Sequence, residues 1–125
     1  AGVHHFTTIG TGAFLAGLAR VIKDVPPWMM VDGTPAEVRG CNRVGMQRSQ
    51  MPEDEIHAVL ESYRMLYREP SGDQESTCAM LLDQFSGNQT VQSIVDSIRA
   101  TLQGKNGRAL ENHRMHDKSV DPRDR

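Results

Sequence analysis

Aromatic residues are scarce. They make up 5% of the 125 residues, too few for the stacking platforms that hold single-stranded nucleic acid. Net charge is small: 14 lysines and arginines stand against 16 aspartates and glutamates, a formal balance of -2. Such a chain offers no basic field for nucleic acid or for an anionic membrane surface. Cysteine occurs twice, at Cys41 and Cys78. That spacing fits no metal or redox motif, and two cysteines make no disulfide framework. The expected compartment is therefore the reducing cytoplasm. No apolar run reaches the length of a membrane span, and no signal peptide is seen. A metal site is not expected either. His4 and His5 are adjacent positions of an expected strand, which would diverge to opposite faces, and no third ligand lies near them in sequence.

What the chain does have is a repeat. Aliphatic residues stand at Val3, Ile9, Leu15 and Val21, six apart throughout. Small residues stand two positions earlier, at Ala1, Thr7, Ala13 and Ala19. A helix repeats its apolar positions at three and four, and a plain strand at two. A period of six with one large and one small inward side chain predicts short strands joined at corners. Three such strands make a triangular coil, and coils stack as a solenoid. Gly10 follows Ile9 as a permissive corner residue.

The repeat is expected to stop at Asp24-Val25-Pro26-Pro27, because proline has no N–H to give to a neighbouring coil. Trp28 to Val31 then supplies a last apolar strand or a cap. Asp32-Gly33 signals a turn, and Thr34-Pro35-Ala36 a loop. From Pro52 the period becomes helical. Glu53, Asp54 and Glu55 suit the positive end of a helix dipole. Ile56, Val59, Leu60, Tyr63, Leu66 and Tyr67 form one face, and Pro70 to Gly72 end the helix. A second helix is predicted over 74–85, burying Cys78, Leu81, Leu82 and Phe85. A third is predicted over 90–102, with Val91, Ile94, Val95, Ile98 and Leu102 on one face and Gly104 as terminator. The organisation is thus the end of a β-helix at 1–36, a connector at 37–51, a three-helix bundle at 52–104 and a mobile tail at 105–125. His113 and His116 fall in that tail and are read as a structureless pair.

Several segments together resemble one family. They are Gly2-Val3-His4-His5-Phe6, Asp24-Val25-Pro26-Pro27-Trp28, Gly33-Thr34-Pro35-Ala36, the run from Gly40 to Arg48, and Tyr63-Arg64-Met65-Leu66-Tyr67-Arg68. Their order and gaps, from Gly2 to about Arg68, are similar to those of the UDP-N-acetylglucosamine O-acyltransferases that begin lipid A synthesis. The run Gly40 to Arg48 together with the YRMLYR stretch is the most specific part.

The resemblance implies a left-handed triangular β-helix followed by a helical bundle, working as a homotrimer. It implies transfer of a 3-hydroxyacyl group from acyl carrier protein to the glucosamine 3-hydroxyl of UDP-N-acetylglucosamine, by a histidine general base and a backbone oxyanion donor, with no cofactor. Base and oxyanion glycine belong to coils that would precede Ala1, so no catalytic residue is assigned in this chain, and the chain alone is expected to be inactive. His4, His5, Asn42 and Arg48 match substrate-contacting positions, and Gly17 matches the position that measures acyl length. Three departures alter expected contacts: His5 stands where glutamine is usual, Val44 where an acidic residue is frequent, and Ser49 where a second arginine is frequent. Fewer than two coils lie before the prolines, which favours a fragment of a longer protein. Alternative readings are a non-catalytic trimerisation or binding module and another hexapeptide-repeat enzyme, such as an acetyl-CoA-dependent transferase or a zinc carbonic anhydrase.

Overall fold

A computed structural model of the chain describes residues 1–104; the expected tail with His113 and His116 lies outside the described residues. The first third is built from short parallel strands. β1 (Gly2–Val3) pairs with β3 (Arg20–Val21), with Val3 opposite Val21. Ile9 forms a parallel bridge to Val25. β2 (Phe14–Leu15) pairs in parallel with β4 (Met29–Gly33), with Leu15 opposite Val31. Each expected inward aliphatic of the first turn of chain therefore meets a valine of the next.

The partners of Val3, Ile9 and Leu15 show where the repeat changes. Val3 to Val21 is a step of 18, whereas Ile9 to Val25 and Leu15 to Val31 are steps of 16. Two residues are lost between Val21 and Val25, so Val25 and Val31 fall out of the sixfold frame in sequence while staying in it in space. The ladder also runs one residue into the proline segment. Val25 N–H donates to Thr8 O at 3.0 Å, and Gly10 N–H donates to Val25 O at 2.8 Å. Contrary to the expected stop, the prolines only interrupt the pairing: Pro26 and Pro27 have no N–H to give, and the ladder resumes at Trp28, whose N–H donates to Thr11 O at 2.8 Å, and at Val31, whose carbonyl accepts from Ala16 N–H at 3.0 Å.

The stretch expected as loop and connector is more regular than its sequence suggests. β5 (Ala36–Cys41) folds back on β4 as an antiparallel hairpin across Thr34-Pro35, with an irregularity at Met30/Val31. A short helix, α1 (Arg43–Arg48), follows, capped by Asn42 and anchored by the fully buried Met46.

The three expected helices are present. α2 (Glu53–Tyr63) opens with Glu53, Asp54 and Glu55 in its first turn. It runs on into a π-helical turn, Arg64–Arg68, where Glu69 N–H reaches back five residues to Arg64 O at 2.8 Å. Of the expected face Ile56, Val59 and Leu66 are buried, while Leu60, Tyr63 and Tyr67 are half-buried. α3 (Gln74–Gln84) is capped by Asp73, and α4 (Gln89–Leu102) by Asn88. Cys78 and Leu81 are buried, but Leu82 and Phe85 only half-buried. Leu102 is 54% exposed and leaves the apolar face to Val91, Ile94, Val95 and Ile98.

One core joins the halves: Val21, Val25, Met29 and Val31 of the strands pack in the same cluster as Ile56, Val59, Leu81 and Ile94 of the helices. Asp24 ties the join from the polar side. Its carboxylate accepts from Thr8 N–H at 2.9 Å and from the Thr101 hydroxyl of α4. Asp24→Ala should lower stability by about 1 kcal/mol, read from a urea midpoint, because it removes the acceptor of two hydrogen bonds at this seam while Thr101 keeps Ser97 O and Thr8 N–H can turn to water. Asp24→Asn keeps an acceptor and should lose less.

Candidate functional site

The histidines do not diverge as strand neighbours would. β1 ends at Val3, so His4 and His5 lie on a turn, where the alternation of a strand no longer applies. Their rings stack with centroids 4.6 Å apart at 24°. The Phe6 ring lies 4.1 Å from that of His5. His4 is held to the neighbouring coil by its own N–H, which donates to Val21 O at 2.8 Å. Its Nδ1 accepts from Phe6 N–H at 3.4 Å. His4 is half-buried and His5 exposed, giving a compact aromatic corner with one imidazole face to solvent.

Asn42 occupies a different place. Its side chain accepts from Gly45 N–H at 2.9 Å, starting α1, and donates from Nδ2 to Gly12 O at 2.8 Å across thirty residues. Arg48, the last residue of α1, is exposed. An exposed guanidinium with five donors is suited to bidentate contact with phosphate oxygens. Among the described residues no hydrogen bond or ion pair joins Asn42 or Arg48 to either histidine. Gly17 lies on an exposed corner where its carbonyl accepts from the Ala1 amine at 2.9 Å. A Cβ built on Gly17 meets nothing within 4 Å.

Two features were not legible in the sequence. The first is a cleft of about 380 Å³ between strands and helices, bordered by Lys23, Asp24, Arg39, Tyr67 and Gln74. The second is the node formed by Gly12, Trp28 and Asn42, whose only sequence signal is a glycine off the repeat and a tryptophan after two prolines. Neither thiol is a nucleophile at neutral pH: burial pushes Cys41 up to about 12, and burial, with Glu75 nearby, pushes Cys78 up to about 11. Among the described residues no group of three or more potential ligands is placed to hold a metal, and no helix is long and apolar enough to cross a membrane.

Comparison with known proteins supplies the wider frame. Residues 24–108 match the family model described as UDP-N-acetylglucosamine O-acyltransferase, domain 2. The acyl-[acyl-carrier-protein]–UDP-N-acetylglucosamine O-acyltransferase of Verminephrobacter eiseniae is 44% identical over 101 residues, covering 81% of this chain and 38% of the relative. That of Gloeothece citriformis is 35% identical over 108 residues, covering 85% and 38%. Among solved structures, the Arabidopsis UDP-N-acetylglucosamine acyltransferase has a TM-score of 0.69 at 31% identity over 78% of this chain and 35% of that one. The Moraxella catarrhalis O-acyltransferase has a TM-score of 0.73 at 30% identity over 80% and 38%. The chain spans 27–40% of the length of the first curated relatives it matches. With the motifs, the strand-to-helix architecture and the family model agreeing over most of its length, this chain belongs to the UDP-N-acetylglucosamine O-acyltransferase family.

Proposed function

We propose that this chain forms the C-terminal part of an enzyme that moves a 3-hydroxyacyl group from acyl carrier protein to the 3-hydroxyl of UDP-N-acetylglucosamine, the first step of lipid A synthesis, in the cytoplasm. The observation that carries the reading is the family match over 24–108, which spans the hairpin, α1 and the bundle. The parallel steps of 16–18 residues support a short three-sided coil, and the family to which the chain belongs supports reading it as the end of a left-handed triangular β-helix. His4 and His5 line the sugar end of the site, Asn42 and Arg48 hold the nucleotide and its phosphates, and Gly17 sets the reach of the acyl chain. The general base is not assigned to any residue of this chain. The parent assembly is a homotrimer, with each site between neighbouring β-helices. The exposed apolar side chains Phe14 and Leu18 suit such contacts.

The chemistry needs a base near the sugar hydroxyl, a donor for the oxyanion and a cationic grip on the diphosphate. Arg48 supplies the last of these. Arg48→Ala should weaken UDP-N-acetylglucosamine binding about tenfold or more, measured by calorimetry, with the melting temperature little changed, since the side chain is exposed. The chain alone should show no acyl transfer, and turnover should appear when coils bearing the base are joined to it. Turnover by the chain alone would sink the division of labour proposed here. A trimer that ignores the nucleotide would instead favour a non-catalytic trimerisation module.

A further inference from the structure

Trp28, the one tryptophan of the chain, has φ +63°. A bulky residue in the left-handed region is strained and persists only where its surroundings hold it. Three contacts do so. Its N–H donates to Thr11 O at 2.8 Å, and its carbonyl accepts from Asn42 N–H at 2.8 Å. Its indole packs against Gly12, itself at φ +67°, so closely that a Cβ there would come 2.6 Å from Cδ2 and nearer still to other ring atoms. Gly12 O in turn accepts from Asn42 Nδ2 at 2.8 Å. Coil, hairpin base and helix start are thereby closed into one ring: Thr11 to Trp28, Trp28 to Asn42, Asn42 back to Gly12.

Asn42 begins α1, and α1 is only six residues long. So short a helix has little stability of its own, and its direction follows from how its first residue is fixed. We infer that Trp28 and Gly12 are positioning residues that aim α1, and through it Arg48, at the nucleotide. This rests on the nucleotide-contacting role proposed above for Arg48. It also gives Asn42 a second task, since one donor and one acceptor of its amide are already committed to Gly12 and Gly45.

Gly12→Ala in the whole chain tests this, because the new methyl must displace the indole. Hydrogen exchange should quicken at least tenfold at the α1 amides of Gly45, Met46 and Ser49, which bond Asn42 and Gly45. The α4 amides of Val95 and Ile98 should be unchanged. Calorimetric affinity for UDP-N-acetylglucosamine should fall at least tenfold. Unchanged α1 exchange overturns the inference, as does acceleration spread evenly over α1 and α4, which marks a general loss of stability. If Arg48→Ala weakens binding while Gly12→Ala does not, the aiming role fails and the nucleotide reading stands. If exchange changes as expected but neither variant alters affinity, the nucleotide reading fails and the node is left as an anchor for α1. No detectable binding by the parent chain overturns both functional claims.

Discussion

Gly10→Ala is expected to lower the stability of the chain by about 3 kcal/mol, a fall in Tm on the order of 10–20 °C for a domain of this size. The argument is one of close approach. A Cβ on Gly10 would stand 2.8 Å from Pro26 C and Pro27 Cα, and nearer still to Pro27 N. All three are backbone atoms of two rigid, buried residues, so no rotamer change makes room. To admit the methyl, the first turn of chain must lift from the next. Such a shift lengthens the bond from Gly10 N–H to Val25 O and disturbs Val25, which is 1% exposed in the common core. The proper control is Gly17→Ala, in the same strand region, where the new methyl meets nothing and the change should stay within about 0.5 kcal/mol. Equal midpoints for the two variants in thermal or urea unfolding would refute this account of Gly10.

Gly10 is a corner residue, as the repeat predicts: Ala13 N–H closes a turn onto Gly10 O at 3.2 Å. What the repeat does not predict is the contact, with Pro26-Pro27 lying against it. A similar limit holds for the rest of the strand segment. The constant spacing of Val3, Ile9, Leu15 and Val21 predicts four inward aliphatics; Val21 is buried and Leu15 half-buried, whereas Val3 and Ile9 are exposed. Their partners Val25 and Val31 were not readable as such, because the chain shortens its step by two residues at the point where prolines also intervene. A period search has no means of finding a rung that keeps its place in space while losing it in sequence. The helices were easier. Each carries an apolar face at helical spacing, and Asn88, Asp73 and Gly104 stand where capping chemistry puts them. The π-turn at Arg64–Arg68 was invisible, since it is one extra residue in an otherwise helical pattern.

The candidate site was legible only in part, and for a different reason. His4, His5, Asn42, Arg48 and Gly17 were named from motifs, and motifs give identity without geometry. They could not say that the two imidazoles stack, because that depends on β1 ending at Val3. Nor could they say that the Asn42 amide spans to Gly12. β5 and α1 went unseen because Ala36–Cys41 alternates poorly and a six-residue helix carries too few apolar positions to show a period. Met46 is its single buried residue. Long-range hydrogen bonds of this kind leave no trace in local pattern.

Gly17→Met separates function from folding most sharply. Gly17 is exposed, and its missing side chain would meet no atom of this chain, so the variant should fold and melt like the parent, within about 0.5 kcal/mol. Its proposed effect is on the acyl group. If the chain end of the substrate runs past this corner, a methionine side chain occupies the space of several methylenes. A hydrophobic pocket discriminates by roughly 10–200-fold for a methylene-sized mismatch. In a chain extended with the coils proposed to carry the base, kcat/KM for a long acyl carrier protein substrate should therefore fall about a hundredfold. A substrate shorter by the displaced methylenes should become the better one. Affinity for UDP-N-acetylglucosamine should be unaffected, because the nucleotide contacts are proposed to lie on α1. Competition between long and short acyl carrier protein substrates, read by mass spectrometry of the products, checks this directly. An unaltered product ratio with intact turnover would remove Gly17 from the acyl path and leave it an ordinary surface corner.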